Sequence, residues 1–180
     1  MKAFLSFLAF WWEILKIVIV ALLIVVPIRY FLFQPFIVKG QSMEPNFENG
    51  DYLIIDEISF RFGEPQRGEV IVFRYPYNPS QRYIKRIIGL PGELIEIKDG
   101  KILINNQVLD ETEYLSAGLS TPGNSRLLLA ENEYFVLGDN RVSSSDSRQW
   151  GPLKKANIIG RVYLRAWPVK ALAKIEVPQY

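Results

Sequence analysis

The chain has 180 residues and contains no histidine and no cysteine. A serine nucleophile in it must therefore draw its base from Asp, Glu, Lys or Tyr. A Ser-His-Asp triad is excluded, thiolate chemistry is absent, and zinc and transition-metal sites lose their usual ligands. Lysine serves as a base only when neutral. Burial against apolar side chains disfavours the ammonium and lowers its pKa, so the residue to look for is a lysine on the inward face of a strand. Lys85 fits. In Gln81–Ile88 (QRYIKRII) the odd positions share one face and the even positions the other. Lys85 then has Tyr83 and Ile87 as same-face neighbours, while Arg86 points away. A strand lysine is otherwise an exposed edge residue, and the strand alone leaves both readings open.

Ser42 stands in Gln34–Pro45 (QPFIVKGQSMEP). Gly40 lets a backbone approach closely, Pro45 restricts the following turn, and the Ser42 N–H could donate to an oxyanion. A polar turn accounts for the same residues equally well. A third cluster is Gly138–Gly151 (GDNRVSSSDSRQWG). There a serine hydroxyl could orient the lysine amine, or the charges of Asp139, Arg141, Asp146 and Arg148 could simply stabilise their own loop. These carboxylates lack the alternating oxygen spacing of calcium loops, and no metal or other cofactor is expected.

These residues need a scaffold, and the sequence predicts a mainly β one. Asp51–Ile55, Glu69–Tyr75, Gln81–Ile88, Glu133–Leu137 and Gly160–Ala166 read as strands. Pro76–Ser80 reads as a turn and Lys154–Ile158 as one helical turn. Leu94–Lys98 and Lys101–Ile104 form a hairpin through Asp99-Gly100, since Asp-Gly supplies the positive φ of a tight turn. Residues 111–126 read as a polar surface excursion, and 169–177 are ambiguous. Many short strands with little helix point to an all-β body.

Ahead of this body lies an apolar run. Residues 14–33 are expected to form a single membrane-spanning helix, long enough at about 20 residues. Lys16 and Arg29 lie near its ends, and Trp11, Trp12 and Tyr30 at interfacial depth. Residues 1–13 would be a cytoplasmic or interfacial N-terminus, and 34–180 the folded domain. Tyr-Phe-Leu-Phe follows the run where a cleaved leader would have small residues. Residues 1–39 hold four basic groups and one acid, leaving 17 basic and 18 acidic groups in the rest. A body so balanced has no nucleic-acid signature.

Four stretches taken together carry a family resemblance: QSMEP, RGEVIVFRYP (67–76), YIKRIIGLPGE (83–93) and GDNRVSSSDSRQWG (138–151). In this order, after a spanning segment, they resemble the motif boxes of bacterial type I signal peptidases, over residues 34 to about 168. The resemblance implies an antiparallel-β catalytic domain with a reduced second β region. It makes Ser42 the nucleophile, Lys85 the general base and Ser144 the serine that bonds the lysine amine. Asp146 and Arg148 become charged residues shaping the site. Phe36, Val38, Met43, Phe47, Tyr83 and Ile84 align with the substrate pockets for small residues. It further implies cleavage of signal peptides from exported preproteins after Ala-x-Ala-type sequences, through an acyl-enzyme. The enzyme would sit in the cytoplasmic membrane, with its catalytic domain on the outer face and the lipid bilayer as a second partner. Two departures stand out. Gly40 occupies a place where many members carry a serine that helps to form the oxyanion hole, and Val142 one where an acid is common. The competing readings are a membrane-tethered β-module that binds exported chains without cutting them, and a soluble self-cleaving Ser-Lys repressor. The apolar anchor argues against the repressor.

Overall fold

The computed structural model describes residues 2–31, 33–116 and 118–178, with side chains at residue 7, over 10–25, and from 34 onward within those ranges. A helix, α1 (Lys2–Phe31), leads into β1 (Phe33–Ile37), β2 (Tyr52–Asp56), the short helix α2 (Ser59–Phe62), β3 (Val70–Tyr75) and β4 (Asn78–Gly89). Then come β5 (Leu94–Lys98), β6 (Lys101–Ile104), β7 (Gln107–Val108), β8 (Ser125–Leu128) and β9 (Glu133–Leu137). The chain closes with α3 (Ser147–Trp150), β10 (Leu153–Lys154), β11 (Ile158–Trp167) and β12 (Ala173–Lys174).

The strands form two antiparallel sheets. The larger runs β1-β2-β11-β3-β4-β9-β10, with β12 added on β11, and the smaller runs β7-β6-β5-β8. β3 explains how the larger sheet holds together. Val70 and Val72 enter one buried cluster with Val38, Leu53 and Val162, while Ile71 and Phe73 enter another with Ile87, Val136 and Trp150. A strand buried on both faces reads as a continuous apolar run, which VIVF is. The smaller sheet covers a third cluster of Ile88, Ile95, Ile97, Ile102 and Phe135. Its β5–β6 turn has Asp99 at φ 50° and Gly100 at φ 75°, the left-handed pair that a two-residue hairpin requires.

Several expectations are revised. Helix α1 is continuous from Lys2 to Phe31, with no break near residue 13. The side chains of Arg29 and Tyr30 lie outside the described residues. The described side chains of α1, at residue 7 and over 10–25, do not by themselves make a stretch long and apolar enough to cross a membrane, and the expected span over 14–33 extends beyond them. β1 begins at Phe33, inside the run assigned to the anchor, because the apolar pattern carries on past the helix end. β4 begins at Asn78, so most of the expected Pro76–Ser80 turn is strand, and Tyr75 pairs with Asn78 across a tight connection. The 111–126 segment is more than a surface excursion: Tyr114, Leu115 and Thr121 are buried. Its end supplies β8, the fourth strand of the smaller sheet.

Candidate active site

Ser42 lies on a turn pinned from both sides. Val38, Met43 and Phe47 are each 2% exposed or less, in the cluster under β1 and β2. The Glu44 N–H donates to the Gln41 carbonyl at 3.2 Å and the Phe47 N–H to the Met43 carbonyl at 2.9 Å. Gly40 opens the turn with φ +92°, a conformation that L side chains rarely adopt. These anchors on both sides hold the half-buried Ser42 in place.

Lys85 comes from β4, opposite Ile71 of β3. It is 3% exposed, and its Nζ donates to Ser42 Oγ at 2.7 Å and to the Ile84 carbonyl at 2.8 Å. Nζ also lies 5.6 Å from the centroid of the Tyr83 ring, as the strand parity predicts. Burial pushes the Lys85 pKa down from 10.5 to about 8, against the charges of Asp146 and Asp139, which hold it up. A neutral amine at this distance can accept the serine proton.

The third element is the loop after β9. Asp139 accepts from Arg86 Nε at 2.9 Å and Nη2 at 2.6 Å, and from Asn46 Nδ2 at 2.8 Å. Asp146, fully buried, caps α3. It accepts from the Arg148 side chain at 2.8 and 2.7 Å and from the Gly138 N–H at 3.1 Å. Arg141 reaches Glu111 Oε2 at 2.9 Å and the Gly138 carbonyl at 3.1 Å. This ties the 111–126 segment to the site. Gly138 is needed for close approach: a Cβ there would run into the Ser42 carbonyl oxygen and Ser144 Oγ.

Ser144 differs from expectation. Its Oγ is buried but has no hydrogen-bond partner among the described residues, so it does not bond the lysine amine. The two bonds of Nζ go to Ser42 and to the Ile84 carbonyl, while Ser144 packs over Gly138. Arg86 points away from Lys85 as expected, and on that face it is a buried cation neutralising Asp139. The signal available was an arginine embedded between Lys85 and Ile87-Ile88, which has to find a carboxylate.

Beside the dyad runs a groove of about 820 Å³, lined by Phe36, Gly40, Ser42, Tyr83, Ile84 and Lys85 among others. Among the described residues, β1 pairs only with β2, and β4 meets β9 only from Arg86 onward. The groove therefore lies between two strand edges that no other described strand covers, to which an extended peptide can add. Phe36, Tyr83 and Ile84 line it as expected. Val38, Met43 and Phe47 are buried in the core cluster, where they anchor the serine turn.

The fold and site together place a serine against a buried lysine in an antiparallel-β body, beside an open groove. The family model described as "Signal peptidase, peptidase S26" matches residues 11–167. The chain is 37% identical over 173 residues to signal peptidase I of Leptolyngbya laminosa, covering 92% of this chain and 84% of that one. To signal peptidase I of Bacillus caldolyticus it is 37% identical over 168 residues, covering 86% and 90%. A crystal structure of a signal peptidase I from Enterococcus faecalis is 36% identical and covers 56% of this chain and 97% of that one, with a TM-score of 0.48. The chain belongs to the signal peptidase family, peptidase S26.

Proposed function

We propose that this chain is a membrane-anchored signal peptidase, cutting exported preproteins after small residues with Ser42 as nucleophile and Lys85 as general base. The observation that carries the reading is the 2.7 Å contact between Lys85 Nζ and Ser42 Oγ, made by a lysine whose pKa burial brings down to about 8.

The segment before the scissile bond lies extended in the groove and pairs with the free edges of β1 and β4. Phe36, Tyr83 and Ile84 border its side chains and favour small ones. Neutral Lys85 takes the Ser42 proton, and Oγ attacks the carbonyl carbon. The Ser42 N–H receives the oxyanion charge. Lys85 then passes its proton to the leaving amine as the C–N bond breaks, leaving an ester on Ser42. A water, deprotonated by Lys85, attacks that ester, and the proton returns to Ser42 Oγ. Asp139 and Asp146 lie close enough for their charge to act on Lys85. Their pairing with Arg86 and Arg148 limits how far their charge raises the Lys85 pKa.

Helix α1 serves as the anchor. Its 30 residues extend about 45 Å, against a hydrocarbon core of about 30 Å. Trp11, Ile17 and Leu23 are each more than half exposed, apolar surface that lipid would cover. The N-terminus lies inside and the β domain on the outer face of the cytoplasmic membrane, where an emerging preprotein is held in the same bilayer. No cofactor takes part.

Detergent-solubilised protein incubated with a preprotein provides the test. The wild type is expected to release the signal segment at one site, and Ser42→Ala and Lys85→Ala to release none. Undiminished cleavage by either variant would overturn the dyad. Binding without cleavage by the wild type would favour the non-cutting tether.

A further inference from the structure

The oxyanion donor poses a problem in this chain. With glycine at position 40, no side-chain hydroxyl stands there, and the Ser42 N–H has to carry more of the charge. Its direction then matters, because misaiming a catalytic group by about 1 Å costs on the order of a hundredfold in rate. The direction of a peptide N–H is fixed by whatever holds the carbonyl of the same peptide unit, since the two point oppositely in a trans peptide. The only cis peptides among the described residues are Glu44-Pro45 and Trp167-Pro168, so Gln41-Ser42 is trans.

The carbonyl of that unit belongs to Gln41. It accepts from the Glu44 N–H within its own turn and, across 99 positions of sequence, from Asn140 Nδ2 at 3.1 Å. The next carbonyl, that of Ser42, accepts from the backbone N–H of Asn140 at 3.1 Å. The Asn140 side chain is held in turn, because its Oδ1 accepts from the Ser143 N–H at 3.1 Å. That bond also fixes which amide atom faces Gln41. One residue thus grips two successive carbonyls of the nucleophile turn.

We propose that Asn140 is the positioning residue for the oxyanion donor: by holding the Gln41 carbonyl it aims the Ser42 N–H at the forming oxyanion. Asn140 itself touches no reacting atom. The inference rests on Ser42 being the nucleophile. It accounts for how the turn works with glycine at position 40, and it gives the asparagine of GDNR a task that its acidic and basic neighbours do not share.

Two variants remove the same donor. Asn140→Asp keeps an oxygen to accept from Ser143 but cannot donate to Gln41, and Asn140→Ala removes the side chain. Each is compared with the wild type, as full-length detergent-solubilised protein at a pH above the Lys85 midpoint. The probes are a peptide aldehyde ending at the residue before the scissile bond and the corresponding alcohol. Ser42 Oγ adds to the aldehyde carbon, its proton passes to Lys85, and the carbonyl pair becomes an oxyanion facing the Ser42 N–H. The alcohol fills the same groove without that charge. Both variants are expected to bind the aldehyde at least about tenfold more weakly and the alcohol within about twofold, with kcat reduced and KM unchanged. Equal weakening of both probes, or full affinity for the aldehyde in either variant, would overturn the proposal. Ser42→Ala cleaving at the wild-type rate would instead overturn the reading of Ser42 on which it rests.

Discussion

Arg86 holds Asp139 through two hydrogen bonds of 2.9 and 2.6 Å, with both side chains buried. Arg86 stands next to Lys85 in sequence but on the other face of β4, and Asp139 meets it from the loop after β9. It keeps a carboxylate close to the site without leaving that charge unopposed. Removing one partner of a buried pair strands the other and costs about 3–5 kcal/mol. Arg86→Gln is therefore expected to lower the denaturant midpoint severely, and Arg86→Gln with Asp139→Asn to recover most of the loss. Equal destabilisation by the single and double variants would show that the pairing is not what matters.

The second ion pair tunes the base. Arg148 offsets the charge of Asp146, which otherwise favours the ammonium form of Lys85. Arg148→Gln is expected to move the midpoint of the pH–rate profile to the alkaline side of the wild-type value. Activity near neutral pH should then fall several-fold, with the alkaline plateau less affected. A profile that drops uniformly at every pH would assign Arg148 to folding alone.

Lysine burial also has a stability consequence. Below about pH 8 Lys85 is protonated both folded and unfolded, and the folded state bears the cost of a buried ammonium. Between the folded value of about 8 and the ordinary 10.5 the unfolded chain binds more protons, so stability rises with pH through that window. The span corresponds to about 3 kcal/mol. Lys85→Met is expected to be inactive yet more stable than the wild type at neutral pH, with the advantage shrinking as the pH rises. Thermal unfolding at neutral and alkaline pH checks this. A variant less stable than the wild type at neutral pH would contradict it.

Gly138 makes a packing prediction. A methyl group there meets the backbone oxygen of Ser42 and the Ser144 hydroxyl, and the backbone cannot yield as a flexible side chain would. Gly138→Ala is expected to displace the serine turn from Lys85. Cleavage should fall by about a hundredfold or more, with a stability loss of about 1–3 kcal/mol. Retention of full activity would mean that the turn and the loop are less closely fitted than described.

What the sequence made legible was largely local. Strand parity set Lys85 beside Tyr83 and opposite Arg86, and Asp99-Gly100 marked its hairpin without further context. β1 was hidden because its residues continue the apolar run of the helix, and no turn residue marks the change. β8 was hidden in a polar segment whose strand identity depends on pairing with β5. That Val38, Met43 and Phe47 are buried was not legible in the short, irregular segment around Ser42. A half-buried turn needs anchors, and those three provide them. The partners of Ser144 and Arg86 were not legible for a related reason. Which of several adjacent polar groups meets which partner is decided by the crossing of β4 with the loop after β9, a contact between distant parts of the chain.

The most direct test of the Ser42–Lys85 assignment is the rate at which a substrate acylates Ser42, followed by intact-protein mass and site mapping from about pH 6 to about pH 10. The expected result is an adduct on Ser42 whose formation rate rises with pH through one midpoint at about 8, and no adduct in Lys85→Met. An adduct on another residue, or a Lys85→Met protein acylated at the wild-type rate, would contradict the assignment.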